Sequence, residues 1–428
     1  MDYQRRIVDD LLDEVLPELP AIALEGAKGV GKTATATQRA RSVLTLSEPA
    51  QRAAVAGNHA LIRELPQPVL IDEWQLEPGV WDTVRHAVDA GSGGGSFLLA
   101  GSAHTPPGVH IHSGAGRIVS LKLRPLAWSE RGLGRPTVSL AELLRGATPR
   151  IAGLSGVNLR GYAEEITRSG FPGIRRLGAR ARGLGLDSYV SRLVERELAE
   201  NGAVVRRPSA MMAWLRAYAA ATSTDAAYSA ILDAATPGEG DKPSNETARG
   251  YRQALERLFV LDPVPAWTAS FTPLRRLTKT PKHHLADPAL AARLVGIEAD
   301  GLLVGSGPRA AASKRQAGAR TWLGALFESL VTQSVRVYAA AADASVGHLR
   351  TKNTEHEIDL IVEARDLSVV AIEVKTSDTV TARDTSHLAW LQAELGDRLV
   401  DRVVLYAGEH AYRDPSGTAI VPFALLGP

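Results

Sequence analysis

The chain has 428 residues, 45% hydrophobic and 22% charged, with a formal net charge of +2 and no cysteine. That length allows about three domains, and the near-neutral balance excludes a polyelectrolyte, so nucleic-acid contact must come from local basic patches. The lack of cysteine excludes disulfides and thiolate zinc sites, and there is neither an apolar signal core nor a long uncharged run; a cytoplasmic protein with no membrane contact is expected.

After a polar amphipathic helix near the N-terminus, Ala21–Glu25 reads as a short apolar strand, and a helix can follow from Ala34. Between them lies G-x-x-x-x-G-K-T, formed by Gly26, Ala27, Lys28, Gly29, Val30, Gly31, Lys32 and Thr33. Strand, glycine loop and helix together make a phosphate cradle: the glycines let successive N–H groups face phosphate oxygens, Lys32 reaches the β- and γ-phosphates, and Thr33 places a hydroxyl on Mg²⁺. ATP and Mg²⁺ are therefore the expected ligands.

A further strand, Ser42–Leu46, suits an ATPase branch with an inserted central strand. Val69, Leu70 and Ile71 form a continuous apolar run of the kind buried on both faces of a parallel sheet. Asp72 ends this run, where open α/β sheets bind ligands, and Glu73 follows it; the pair divides metal-holding and water-polarising duties. Gly79–Ala90 is helical, with Val80, Trp81, Val84 and Val88 toward the sheet, and Gly91–Ser96 reads as a flexible linker. Phe97–Gly101 is the next strand. It ends at Ser102, which fits both a γ-phosphate sensor and an ordinary strand-ending turn. His104, His110 and His112 lie in a Pro/Gly loop without partnering carboxylates and read as solvated. Arg117 or Arg124 can neutralise transition-state charge in the same chain or a neighbour, so Arg117 would imply a ring or dimer; a surface arginine at a turn fits the same string. Residues 1–124 thus read as a P-loop NTPase domain with a doubly wound parallel sheet.

Residues 125–200 read as a helical lid in which Arg145, Arg150, Arg160, Arg168, Arg175, Arg176, Arg180 and Arg182 recur. These suit either a phosphate-contacting face or a solvated surface. Residues 201–300 hold three helices, the last opened by Ser244, followed by strand-like pieces at Phe259–Leu261 and Pro281–Leu285 that can pair as a wing. A winged-helix domain would put Arg249 and Arg252 in a DNA groove and Arg275, Arg276, Lys279 and Lys282 on its backbone, although the same fold also mediates protein contacts.

A Gly/Ala/Ser/Lys-rich stretch near residues 305–314 introduces a second α/β pattern over 315–428. Trp322–Val331 is a helix presenting Glu328, Glu357–Val362 a strand presenting Asp359, and Val369–Lys375 a strand presenting Glu373 and Lys375 on one face. Burying such charges is costly without partners. Phosphodiester hydrolysis supplies a reason: Glu328, Asp359 and Glu373 can chelate Mg²⁺, and Lys375 can position water or stabilise the pentavalent charge. The spacing matches the restriction-endonuclease-like α/β fold, which is also retained for binding after catalysis is lost.

Together these features resemble the prokaryotic ATPases that join an AAA-type domain of the AAA_14 group to a DUF4143 region. The matching strings are Gly26–Thr33, Leu70–Trp74, Leu99–Ser102, Arg117, Gly170–Gly173, Pro281–Pro288, Gly324–Glu328, Glu357–Asp359 and Glu373–Lys375. The resemblance implies nucleotide binding by the first three. Two departures stand out: Ala100-Gly101 precedes Ser102 where Thr-Gly is usual, and no second sensor arginine is evident. The expected function is an ATPase coupled to a DNA-binding or nuclease-like C-terminal module; the alternative is a nucleotide-switched regulatory or binding protein with an inactive nuclease fold.

Overall fold

The computed structural model describes residues 3–102, 114–146, 148–200, 207–236, 243–267, 280–304, 314–351 and 355–428. His104, His110, His112, Arg275, Arg276, Lys279 and most of the stretch near 305–314 lie outside these residues. No described helix is long and apolar enough to cross a membrane.

The first sheet is built from Ala21–Glu25 (β1), Ser42–Thr45 (β2), Val69–Asp72 (β3), Phe97–Gly101 (β4) and Val119–Lys122 (β5), in the order β2-β3-β4-β1-β5. All neighbours are parallel. Alternate side chains serve opposite faces, which is why β4 is apolar throughout and β1 and β3 are apolar up to the Glu25 and Asp72 that end them. Ile22, Leu24, Leu70 and Leu98 pack with Leu12 of the helix Ile7–Val15. Ala23, Ile71 and Leu99 pack with Val80, Trp81 and Val84 of the helix Gly79–Asp89. The strand that separates β1 from β3 is β4; the Ser42 stretch, which suited the inserted place by its position in the sequence, is an edge strand. Its Val43 is 42% exposed, as an edge permits, whereas every residue of β4 is buried.

Residues 125–200 are mostly helical, but they also contribute Val138–Ser139 (β6) and Gly153–Leu154 (β7). The remaining strands are Ser345–Arg350 (β8), Glu357–Glu363 (β9), Val369–Lys375 (β10), Leu399–Tyr406 (β11), His410–Arg413 (β12), Ala419–Pro422 (β13) and Leu426–Gly427 (β14). The second sheet runs β7-β12-β13-β11-β10-β9-β8. Its β8, β9 and β10 form an antiparallel meander, and β11 returns parallel to β10 after the helix Ser386–Leu395. The helix Lys314–Ala341 covers one face through Phe327 and Leu330 on Leu360, Val370 and Ile372. Leu388 and Leu391 cover the other on Ile361, Ala371 and Val404. Short strands β7 and β6 pair with β12 and β14, so the segment after residue 125 is stitched into the C-terminal part.

Between the sheets stand the helices Pro208–Ala220, Tyr228–Ala235 and Asn245–Arg257, the last capped by the Ser244 hydroxyl accepting from Thr247 N. The two strand-like pieces that follow do meet, through bridges Leu261↔Leu285 and Val264↔Lys282. They are buried rather than exposed as a wing, and Lys282 is only 2% exposed, so it does not reach a nucleic-acid backbone. A single hydrophobic cluster runs from Ala27 and Val30 beside the phosphate loop, through Tyr162, Phe171 and Leu255, to Phe327 and Phe423.

Candidate functional site

The phosphate loop leaves β1 at the C-terminal edge of the parallel sheet, beside the ends of β3 and β4. Gly26 has φ 155°, and a Cβ there would lie 2.2 Å from the Leu123 carbonyl oxygen, so only glycine fits. Gly29 and Gly31 also have positive φ, 83° and 103°. Lys32 opens the helix Lys32–Thr37 and folds over the loop, its Nζ donating to Gly26 O at 2.8 Å and Ala27 O at 3.1 Å. Burial pushes this ammonium down to about 8, against the pull of Glu73 and Asp72. A buried cation with only carbonyl acceptors fits a phosphate group.

Thr33 donates its hydroxyl to Asp72 Oδ1 at 2.9 Å, so the two residues expected on the metal already adjoin. Burial raises the Asp72 pKa, partly offset by this hydrogen bond. The next residue, Glu73, takes left-handed backbone angles (φ 53°), which cost about 1 kcal/mol or more for a residue with a Cβ. This turn brings its carboxylate to Ser102, whose Oγ donates to Glu73 Oε2 at 3.1 Å, while Gln75 Nε2 donates to the same oxygen at 2.5 Å. Gly101 permits the arrangement, since a Cβ would lie 2.6 Å from Trp74 Nε1. The loop, the acid pair and Ser102 therefore form one constellation.

Next to Lys28, Gly29 and Ser102 opens a cavity of about 360 Å³, closed on its other side by Phe171, Tyr189 and Leu193. Lys28 Nζ pairs with Glu197 Oε1 at 2.5 Å across it. Arg6, unremarked in the sequence, is buried; it donates to Val30 O at 3.0 Å and Arg124 O at 2.8 Å and pairs with Glu130 at 3.0 Å. No local motif marks it, because its partners are distant in sequence.

Neither arginine reaches the phosphate loop as a finger from its own chain. Arg117 precedes β5, whose Val119 lies level with Ile22 at the opposite end of the sheet, and it pairs with Asp89 at 2.9 Å. Arg124 pairs with Asp262 at 2.7 Å. That carboxylate also takes Lys122 at 2.8 Å and Arg336 at 3.2 Å. Arg252 lies over the Tyr228 ring at 4.3 Å and is half-buried, whereas Arg249 is exposed.

In the C-terminal domain Glu328, Asp359, Glu373 and Lys375 converge. Lys375 Nζ donates to Glu373 Oε2 at 2.9 Å, as their shared strand face requires, and Val374 N donates to Asp359 Oδ2 at 2.9 Å. Burial pushes Glu328 and Glu373 up to about 8. Burial opposes ionisation of Asp359, yet Lys282 and Lys375 hold it below the usual range. The expected three-carboxylate metal cage is not formed: Lys282 Nζ stands between Glu328 Oε1 and Asp359 Oδ1, 2.9 Å from each. Among the described residues no three His, Cys, Asp or Glu side chains are grouped to hold a metal. The donor set therefore fits an ammonium and not a divalent ion.

The segment carrying Lys282 continues to Asp287, which is fully buried. Asp287 accepts from Gly170 N at 2.6 Å and Ser169 Oγ at 3.0 Å, holding the Gly170–Gly173 turn whose Phe171 lies against Gly29.

Residues 18–131 match the AAA domain family, residues 323–426 match DUF4143, and residues 159–301 match DUF8612, the last two being domains of unknown function. A Walker-type ATPase of Pyrococcus abyssi is similar over 68% of this chain and 96% of its own, with 16% identity and a TM-score of 0.39. The ORC2 protein of Aeropyrum pernix, solved in ADPNP–ADP complexes, is similar over 69% and 91%, with 14% identity and a TM-score of 0.27. No curated protein matches the chain.

Proposed function

We propose that this chain, which joins an AAA-type P-loop domain to a DUF4143 region, is a Mg²⁺-dependent ATPase whose nucleotide cycle acts on its C-terminal domain. The observation that carries the reading is the meeting of Thr33, Asp72, Glu73 and Ser102 at the mouth of the phosphate loop. Residues Gly26 to Thr33 bind the phosphates, with the Lys32 ammonium neutralising them. Thr33 and Asp72 would hold Mg²⁺, which when bound neutralises charge on the β- and γ-phosphate oxygens. Glu73 orients the attacking water and accepts its proton, while Ser102 and Gln75 fix the direction of its carboxylate. The helices around Phe171 and Tyr189 act as a lid over the base. Arg117 can serve only a neighbouring copy.

Coupling runs through Pro281–Pro288, because that one segment holds the turn against the phosphate loop through Asp287 and the acidic cleft through Lys282. The C-terminal domain is then a nucleotide-switched binding module in a nuclease-like scaffold. DNA is the partner class favoured by the three-helix unit with Arg249 exposed.

Steady-state phosphate release tests the ATPase. Lys32→Ala should abolish both nucleotide binding and release, and Glu73→Gln should keep binding while release falls by about a hundredfold or more. Release unchanged in Lys32→Ala overturns the reading.

A further inference from the structure

Glu328, Glu357, Asp359 and Glu373 come from one helix and two strands, and carboxylates brought together in a buried cleft need cations. Divalent ions commonly fill that need, but this chain supplies its own cation. Lys282 is 2% exposed, and its Nζ lies 2.9 Å from Glu328, 2.9 Å from Asp359 and 3.3 Å from Glu357. Two of the ammonium's N–H donors are hydrogen-bonded, to Glu328 and Asp359, and Glu357 adds a third negative charge as an ion pair. The lysine is also anchored at its backbone, since its N–H and C=O both pair with Val264 at 2.9 Å. It is therefore built into the cleft. Mg²⁺ demands oxygen ligands at about 2.0–2.1 Å in near-octahedral array, and it cannot share that place with a second cation.

A second observation points to a latent ligand position. Glu373 is 4% exposed, its Oε2 is taken by Lys375, and its Oε1 is buried with no hydrogen-bond partner. One carboxylate oxygen of the cleft thus retains capacity for another ligand.

We propose that Lys282 is the resident cation of the C-terminal cleft, so that the native chain holds no divalent metal there and does not cleave phosphodiesters. Glu328, Asp359 and Glu373 become a divalent-cation site once the ammonium is removed. The inference is independent of ATP hydrolysis and stands or falls on metal binding at residues remote from the phosphate loop.

Mn²⁺ titration followed by electron paramagnetic resonance tests it on the full chain without nucleotide, with Thr33→Ala in every sample to weaken the loop's own metal site. The parent should bind no Mn²⁺ that Glu373→Gln removes. Lys282→Met should gain about one Mn²⁺ per chain, lose it again when Glu373→Gln is added, and show an unfolding midpoint that rises with Mn²⁺, whereas Lys282→Arg should gain none. A parent that already binds a Glu373-dependent Mn²⁺, or a folded Lys282→Met chain that gains none, overturns the proposal. Should Lys282→Met fail to fold, the parent and Glu373→Gln decide it alone. Mg²⁺-dependent nicking of supercoiled plasmid by the wild type, abolished in Glu373→Gln, overturns it as well.

Discussion

Single residues bear the sharpest constraints at the phosphate loop and beside Lys282. Gly26 combines φ 155° with a carbonyl oxygen 2.2 Å from where a Cβ would stand. Gly26→Ala should therefore shift the loop and lower stability by roughly 2 kcal/mol or more, with nucleotide binding lost; fluorescent-nucleotide titration and thermal unfolding check both. Buried histidines set the acid response. Burial, then Lys282 and Arg336, hold His284 well below its ordinary value, and burial also lowers His283 and His348. As pH falls below about 6.5 the unfolded chain takes up protons that the folded chain refuses, so stability present above that pH is lost, at up to about 1.4 kcal/mol per pH unit for His284 and by less for His283 and His348. Unfolding midpoints between neutrality and pH 5 should fall steeply in the wild type and less steeply in His284→Leu. The glycines and the Lys-Thr pair of the loop were legible because they act through their own backbone. The role of His284 was not, because burial is not written in its neighbours.

Among the elements, Pro281–Pro288 differs most from its reading in sequence. Its pairing with the piece after Phe259 was expected, but as an exposed wing; instead it is a buried strap. Asp287→Ala would leave Gly170 N, Ser169 Oγ and Ala289 N without their acceptor. Each buried orphan donor costs about 1–3 kcal/mol, so the variant should be less stable and should bind nucleotide more weakly, with Phe171 no longer held over Gly29. Unchanged nucleotide affinity in a folded Asp287→Ala chain would count against the strap as coupler. The parallel strands were legible from apolar runs, and Glu373 and Lys375 from the two-residue period of β10. Strand order was not, since adjacency in a parallel sheet depends on crossovers that place β4, and not the Ser42 strand, beside β1.

At the scale of the whole molecule, Asp262 ties three regions together. Burial works against its ionisation, yet Arg124, Arg336 and Lys122 hold it well below the usual carboxylate range. Those cations come from the end of the parallel sheet and from the helix Lys314–Ala341. Asp262→Asn would leave them without a counter-ion in a largely buried place, at a cost of about 3–5 kcal/mol. Because one hydrophobic cluster runs from the phosphate loop to Phe423, calorimetry should show the loss as a fall of a shared transition and not as melting of one part alone. Wild-type traces with two well-separated transitions would contradict this.

The sequence by itself determined the phosphate-binding loop, because eight consecutive residues carry it, and it determined that Glu373 and Lys375 share one face of β10, because side-chain parity is local. Tertiary structure alone decided what the acids of the cleft hold. Lys282 lies 46 residues from Glu328 and 77 from Asp359, and no spacing rule connects them. Only packing of the strap between the two sheets brings the ammonium into the cleft, where Coulomb attraction over 2.9 Å gives it the place that the sequence reading reserved for a metal.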